Sequence, residues 1–153
     1  MRQTIRGGTF RRMIINAAAS IEINKQAPVT DIVKKEYEIS PGDDPKGKAQ
    51  MAYGYVVGDY DDIEKNIAFS LISSVLSSSN ESPLKKAILS KGLGEDVSFD
   101  IQDGILQPYV QIDVYNSDSD KEKEVYETIQ DVLKDAVKNG LDKKELEAAL
   151  NQR

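Results

Sequence analysis

The sequence predicts an α+β fold in which an antiparallel sheet has helices packed on one face. Two observations lead to this class. Apolar residues alternate at period two in four short segments, and they recur at helical spacing in four others. The segments follow the order β-β-α-α-β-β-α-α, and paired strands alternating with paired helices are typical of an antiparallel sheet covered by a helical layer. With 153 residues, the chain is long enough for one domain with one substantial core.

Four strands are predicted from the alternating segments. The first covers residues 33–39, with Val33, Lys35, Tyr37 and Ile39 on one side, and a turn-rich PGDDPKG stretch follows it. The second covers residues 49–57 and is closed by Gly58-Asp59. The last two form a hairpin around the turn signal Asp103-Gly104, and their apolar residues are Val97, Phe99, Ile101, Leu106, Val110, Ile112 and Val114.

Two helices are predicted between the strand pairs. The first has a wide apolar stripe and ends in the polar run 77–80; the stripe consists of Ile63, Ile67, Leu71 and Val75, with Ala68, Ile72 and Leu76 beside them. The second begins at Ser82, a good N-cap, with Pro83 as its first helical residue. It ends at Gly92, because glycine adopts a left-handed C-terminal conformation at little cost.

Two more helices are predicted after the hairpin. Ser119 and Glu122 fit a capping box at the start of the first, which ends at Asn139-Gly140. Its predicted buried face comprises Val125, Ile129, Leu133, Ala136 and Val137. The last helix starts at Asp142, with Glu145 three residues later.

The composition excludes most catalytic chemistry from this chain. It has no histidine and no cysteine, so it cannot form the usual catalytic zinc sites or a Ser-His-Asp or Cys-His arrangement. Asp59, Asp61 and Asp62 are the densest acidic cluster, but they lack the spacing and the glycine of a calcium loop. We interpret them as acids that favour the N-terminus of the following helix. We therefore expect no catalytic, cofactor-binding or metal-binding residue.

Charge separates the first residues from the rest. Residues 1–20 carry four arginines and no acid, whereas the whole chain has a net charge of −6. We interpret residues 1–27 as a leader or interdomain segment and favour a vector-derived origin over an organellar transit segment. The domain proper then covers residues 28–153. Its acidic balance argues against nucleic-acid binding, and no apolar run is long enough to span a membrane.

One segment resembles a known family. The stretch SSVLSSSNESPLKKAILSKGLG, at its place in this order of elements, resembles the second type of domain in the pitrilysin–insulinase family of zinc peptidases. Gly94 and the later NGLDKKELEAALNQ are similar to the presequence-protease branch, and the resemblance covers roughly residues 28–152. Its family-motif residues, which we expect to be structural, are Ser82, Pro83, Leu84, Gly92, Leu93 and Gly94.

The resemblance implies a role without catalysis. The family holds its zinc with an H-x-x-E-H motif in another domain, and no position here matches that motif. The chain is therefore expected to be a non-catalytic structural and substrate-enclosing domain, with zinc only in the catalytic domain of the parent peptidase. Its expected partners are the catalytic and other domains of the same parent, with unfolded peptide against this domain as a chamber wall.

Several alternatives stay open. The chain could instead be a non-catalytic interaction subunit beside a catalytic peptidase or within a larger complex, or, more distantly, a small enzyme that uses only carboxylates. A bacterial cytoplasmic location is favoured over an organellar one. Four tyrosines could face a chamber, but we expect them to pack on their neighbours: Tyr53, Tyr55, Tyr109 and Tyr115.

Overall fold

The computed structural model describes residues 23–152, so most of the predicted leader or interdomain segment, residues 1–27, lies outside the described part. Residues 23–32 belong to a separate unit and have no regular secondary structure. Residues 33–152 form the α+β unit, which confirms the predicted class. Its elements are β1 (Ala49–Val56), α1 (Ile63–Ser77), α2 (Pro83–Ser90), β2 (Asp96–Gln102), β3 (Tyr109–Ser117), α3 (Glu122–Asn139) and α4 (Lys143–Asn151).

The strands form one antiparallel sheet in the order β1-β3-β2. Ile112 in the central strand lies opposite Tyr53 on one side and Phe99 on the other. Because side chains alternate along a strand, Val110, Ile112 and Val114 point to one face, where they are buried. The other face of the sheet has no helix over it within residues 33–152, and Ala52, Gly54 and Val56 of β1 are exposed there.

The core lies between the sheet and the helices. Each of the first three helices contributes fully buried apolar side chains, namely Leu76 from α1, Leu84 and Ile88 from α2, and Val125 and Ile129 from α3. Burying an aliphatic side chain of this size contributes about 1.5–3 kcal/mol to folding. The sheet face and three helices therefore share one core, which orients the segment between Ser82 and Gly94.

The predicted first strand is not present as a strand. Residues 33–39 have no strand assignment, and Val33 and Tyr37 are 68% and 57% exposed. Four of the seven residues are charged, and the segment buries too little apolar surface to offset the entropy of ordering a strand. The sheet in the described residues therefore has three strands, with β1 at one edge.

Three smaller expectations were also wrong. The buried side of α1 includes Val75 and Leu76, as predicted, but also Asn66 and Ser73. Ile63 and Ile67 of the predicted stripe are exposed. Val137, predicted on the buried face of α3, is 88% exposed. The connection between β2 and β3 is longer than a tight hairpin, and it includes Leu106.

The predicted capping box does not form. A short 3-10 turn, Ser119–Lys121, precedes α3, and neither this turn nor α3 has a side-chain cap. Asp142, by contrast, caps α4 as predicted, since its Oδ1 accepts the N–H groups of Lys144 and Glu145 at 2.8 and 3.0 Å.

Candidate functional site

The family-motif segment begins with a serine that is buried at a helix start. Ser82 is the N-cap residue of α2 and Pro83 its first residue, as predicted. The Ser82 hydroxyl makes no cap bond to α2; it accepts the Ser79 N–H at 3.0 Å. It therefore stabilises the turn that connects α1 to α2. Leu84, two residues on, is fully buried in the core.

The segment ends in a glycine-rich turn against the sheet. Gly92 has a φ of +62°, which strains residues that carry a Cβ, and the Leu93 N–H after it donates to Ile88 O at 3.1 Å. The Leu93 side chain is buried, and its carbonyl accepts the Ser117 hydroxyl at 2.5 Å. The end of α2 is thus joined to the end of β3.

Gly94 is required by a close approach rather than by its backbone angles. A Cβ at this position would lie 2.7 Å from Val114 Cγ1 and 3.0 Å from the carbonyl oxygen of Tyr115. Both distances are shorter than an ordinary van der Waals contact, so the neighbouring atoms would have to move. The chain passes directly against β3 here, so Leu84, Leu93 and Gly94 lie in a packed corner, whereas Pro83 and Gly92 are exposed.

Two open clefts lie beside the helices, and the first borders this segment. One of about 360 Å³ lies where α1, α2, α3 and α4 meet, and acidic residues form much of its rim: Glu81, Asp135, Asp142 and Glu145. Within residues 23–152 no group of three or more histidine, cysteine or acidic side chains could hold a metal ion. The acids at the start of α1 also make no such group; Asp62 occupies the N-cap position without a side-chain cap.

The second cleft separates α1 from the edge strand β2. Its volume is about 380 Å³, and the α1 side of its wall is lined with serines: Ser70, Ser73, Ser74, Ser77 and Ser78. The Phe99 N–H donates to the Ser77 hydroxyl at 3.2 Å. The helix therefore supplies a hydrogen-bond acceptor to the outer edge of β2. Asn66 on the same helix is buried, and its Oδ1 has no hydrogen-bond partner in the described residues.

A tyrosine cluster, Tyr53, Tyr55 and Tyr126, lies between β1 and α3. The rings of Tyr53 and Tyr126 have centroids 5.8 Å apart, and the Tyr53 hydroxyl donates to the Glu122 carbonyl at 3.4 Å. Burial, followed by the nearby Glu122 carboxylate, raises the pKa of Tyr53 to about 12. Burial and Tyr126 raise the pKa of Tyr55, although its side chain is 44% exposed.

The four tyrosines singled out in the sequence lie on two faces. Tyr53 packs against the core, as expected, whereas Tyr109 and Tyr115 lie on the uncovered face of the sheet with Gln111 and Asp113. Tyr115 is 39% exposed and its hydroxyl is 3.4 Å from that of Ser98. Packing on neighbours therefore holds for Tyr53 and only in part for the others.

No helix within residues 23–152 is long and apolar enough to cross a bilayer.

Comparison with known proteins gives the family of this chain. A model of the family described as the peptidase M16 inactive domain matches residues 14–153. Protein HypA of Clostridium perfringens (strain 13 / Type A) is 36% identical over 116 residues, which are 76% of this chain and 12% of that protein. Presequence protease 1, chloroplastic/mitochondrial, of Arabidopsis thaliana is 28% identical over 119 residues, 76% of this chain and 11% of that protein.

The chain thus spans about an eighth of the length of these relatives or slightly less. The match to a family model over most of the chain, and the likeness to a presequence protease, confirm the resemblance that residues 82–94 indicated. The matched family is an inactive peptidase domain, and this chain has none of the histidine or cysteine residues that bind catalytic zinc. The chain belongs to the peptidase M16 family, as a non-catalytic domain of its inactive type.

Proposed function

We propose that this domain supports and partly encloses the substrate chamber of a zinc-dependent, peptide-degrading metalloendopeptidase. The observation that carries the proposal is the match of residues 14–153 to the inactive domain of a peptidase family. The likeness to a presequence protease supports peptides as the substrates of the parent. Zinc and the water it activates would belong to another domain of the parent, since three protein ligands, mostly histidines, are what such a site requires.

Exposed apolar side chains support a role beside other domains. Tyr60, Ile63 and Ile67 follow β1 at the start of α1, and their side chains are exposed although large and apolar. Ile63 and Ile67 are four residues apart, so they lie on the same side of the helix. An exposed apolar stripe of this kind is typical of a surface that packs against another protein or domain. The partner we infer is a neighbouring domain of the same parent.

The test uses the full-length protein that carries this sequence. Replacing Ile63 and Ile67 together by glutamate should lower the hydrolysis of unstructured peptides while zinc content stays unchanged, because only the domain contact is lost. In the isolated chain the same change should alter stability by under about 0.5 kcal/mol, as usual for exposed sites. Lys123→Glu is the control, because the Lys123 side chain is 87% exposed on α3 and its ion pair with Glu127 lies at the surface.

The outcomes separate the two leading functions. Full hydrolysis in the double variant would contradict a supporting role for this surface. A full-length protein without zinc and without an H-x-x-E-H motif would favour the alternative, a non-catalytic subunit that works beside a separate catalytic partner.

A further inference from the structure

The face of the sheet that no helix of residues 33–152 covers carries negative charge only. The three strands of this unit contain no lysine or arginine, and they contain three aspartates: Asp96, Asp100 and Asp113. Side chains alternate along a strand, and Phe99 and Ile112 are buried against the helices. All three aspartates therefore lie on the uncovered face.

Two of these aspartates have no cation to balance them. Asp96 is paired with the Lys85 ammonium at 2.9 Å, whereas the described residues form no ion pair with Asp100 or Asp113. Gln111 lies opposite Asp100, and its amide nitrogen donates to both Asp113 oxygens at 2.8 Å. This neutral amide fixes the Asp113 carboxylate on the face and leaves its charge uncompensated. Asp100 and Asp113 are diagonal neighbours on adjacent strands, about 7–8 Å apart, so a cation between them would relieve their repulsion.

The neighbours of the two aspartates suit an extended chain with basic side chains. On the β1 side the face consists partly of Ala52 and Gly54, and both are exposed. Such small residues allow a second backbone to approach closely. Along β3 the charged stretch lies between Tyr109 and Tyr115, and the Tyr115 side chain is 39% exposed. Tyrosine rings attract ammonium and guanidinium groups to their faces.

We propose that the uncovered face binds arginine- or lysine-bearing segments of unfolded peptide, with Asp100 and Asp113 as its charged contacts. This role rests on the proposed function, because the peptide is the substrate that the domain helps to enclose. A guanidinium group has five N–H donors in a planar fork, so it can bond to both carboxylates. The surface of Ile63 and Ile67, which we assign to a neighbouring domain, is apolar instead. The cores of interfaces are depleted of charge, so two unpaired carboxylates favour a face that stays in contact with water.

Fluorescence anisotropy with the complete chain tests this binding without depending on the activity of a parent enzyme. The probe is a labelled, unstructured glycine–serine peptide that carries arginines, and a peptide with glutamates in their place should not bind. Changing Asp100 and Asp113 together to asparagine should weaken binding of the arginine peptide about tenfold, the scale of two exposed ion pairs. Changing Asp120 and Asp131 to asparagine is the matched control, because both are exposed outside the strands and the net charge changes equally. The control should bind like the parent chain.

Two results would overturn the proposal. One is a control variant that loses as much affinity as the sheet variant, because the attraction would then depend on net charge alone. The other is carbodiimide cross-linking of a lysine form of the peptide that joins it only to acids of the helices, as read by mass spectrometry. If the double variant lowers the unfolding midpoint, Asp100→Asn alone replaces it, since Asp100 is exposed. Equal binding of the arginine and glutamate peptides, with an active full-length peptidase, would overturn this proposal and leave the proposed function intact.

Discussion

Replacing Gly94 by alanine tests the packed corner most severely. The new Cβ would lie 2.7 Å from Val114 Cγ1, about 1 Å closer than the usual carbon–carbon contact. It would also lie 3.0 Å from Tyr115 O, which already accepts the Glu95 N–H at 2.9 Å. Neither neighbour is the end of a flexible side chain. Overpacking of this kind costs about 1–3 kcal/mol, so Gly94→Ala should lower the free energy of unfolding by that amount.

Urea unfolding, followed by far-ultraviolet circular dichroism, measures this loss. Gly104→Ala is the matched control: it also changes a glycine to alanine, but nothing lies within 4 Å of its Cβ position. We expect the control to stay within about 0.5 kcal/mol of the parent chain or to be slightly more stable, since alanine restricts the unfolded state. A Gly94→Ala curve that superimposes on the parent would refute the close approach.

A second variant identifies the contact. Val114→Ala alone removes two methyl groups from the core, where Val114 is fully buried, and it should be destabilising. In the Gly94→Ala background it also relieves the overlap, so its cost should fall. A double-mutant cycle should therefore give a favourable coupling of about 0.5–3 kcal/mol. Simple additivity would show that the strain lies elsewhere.

Three further predictions concern the same unit. Leu84→Ala, at a fully buried site, should lower the free energy of unfolding by about 2–5 kcal/mol. Gly92→Ala, at a φ of +62°, should lower it by about 1–2 kcal/mol. If neither variant changes the denaturant unfolding curve, the segment is a surface feature. Because the pKa of Tyr53 is raised to about 12 in the folded chain and is near 10 when unfolded, its contribution to stability is complete below pH 10 and is lost as the pH rises toward 12; Tyr53→Phe should flatten this alkaline loss, and identical pH profiles would contradict it. Deleting residues 1–20 should change the midpoint temperature little if they are foreign or a leader, whereas a large decrease would place Phe10, Met13, Ile14 and Ile15 in a core.

Most elements could be predicted from the sequence because their signals are local. Proline and glycine mark the two ends of α2, since Pro83 suits a helix start and Gly92 a left-handed helix end. Asp142 caps α4 for a similarly local reason. The alternation in β3 gives its buried face directly, because Val110, Ile112 and Val114 all face the helices.

The remaining features depend on tertiary contacts that a pattern does not contain. The buried side of α1 includes serines beside Val75 and Leu76 because Ser77 binds the edge of β2, and this contact joins residues 22 positions apart. Residues 33–39 alternate like a strand, but alternation does not show that ladder bonds will form. Glycine is needed at position 94 because Val114 and Tyr115 lie close to it. The clash that a Cβ would make there can be seen only in the folded chain.

The most direct measurement of the central claim is zinc content and peptide hydrolysis, compared between the isolated chain and the full-length protein. We expect the isolated chain to hold no stoichiometric zinc and to cleave no unstructured peptide, because it has no histidine or cysteine. The full-length protein should bind zinc stoichiometrically and cleave such peptides in a chelator-sensitive reaction. Chelator-sensitive cleavage by the isolated chain would contradict a non-catalytic domain, and a zinc-free, inactive full-length protein would contradict its place in a peptidase.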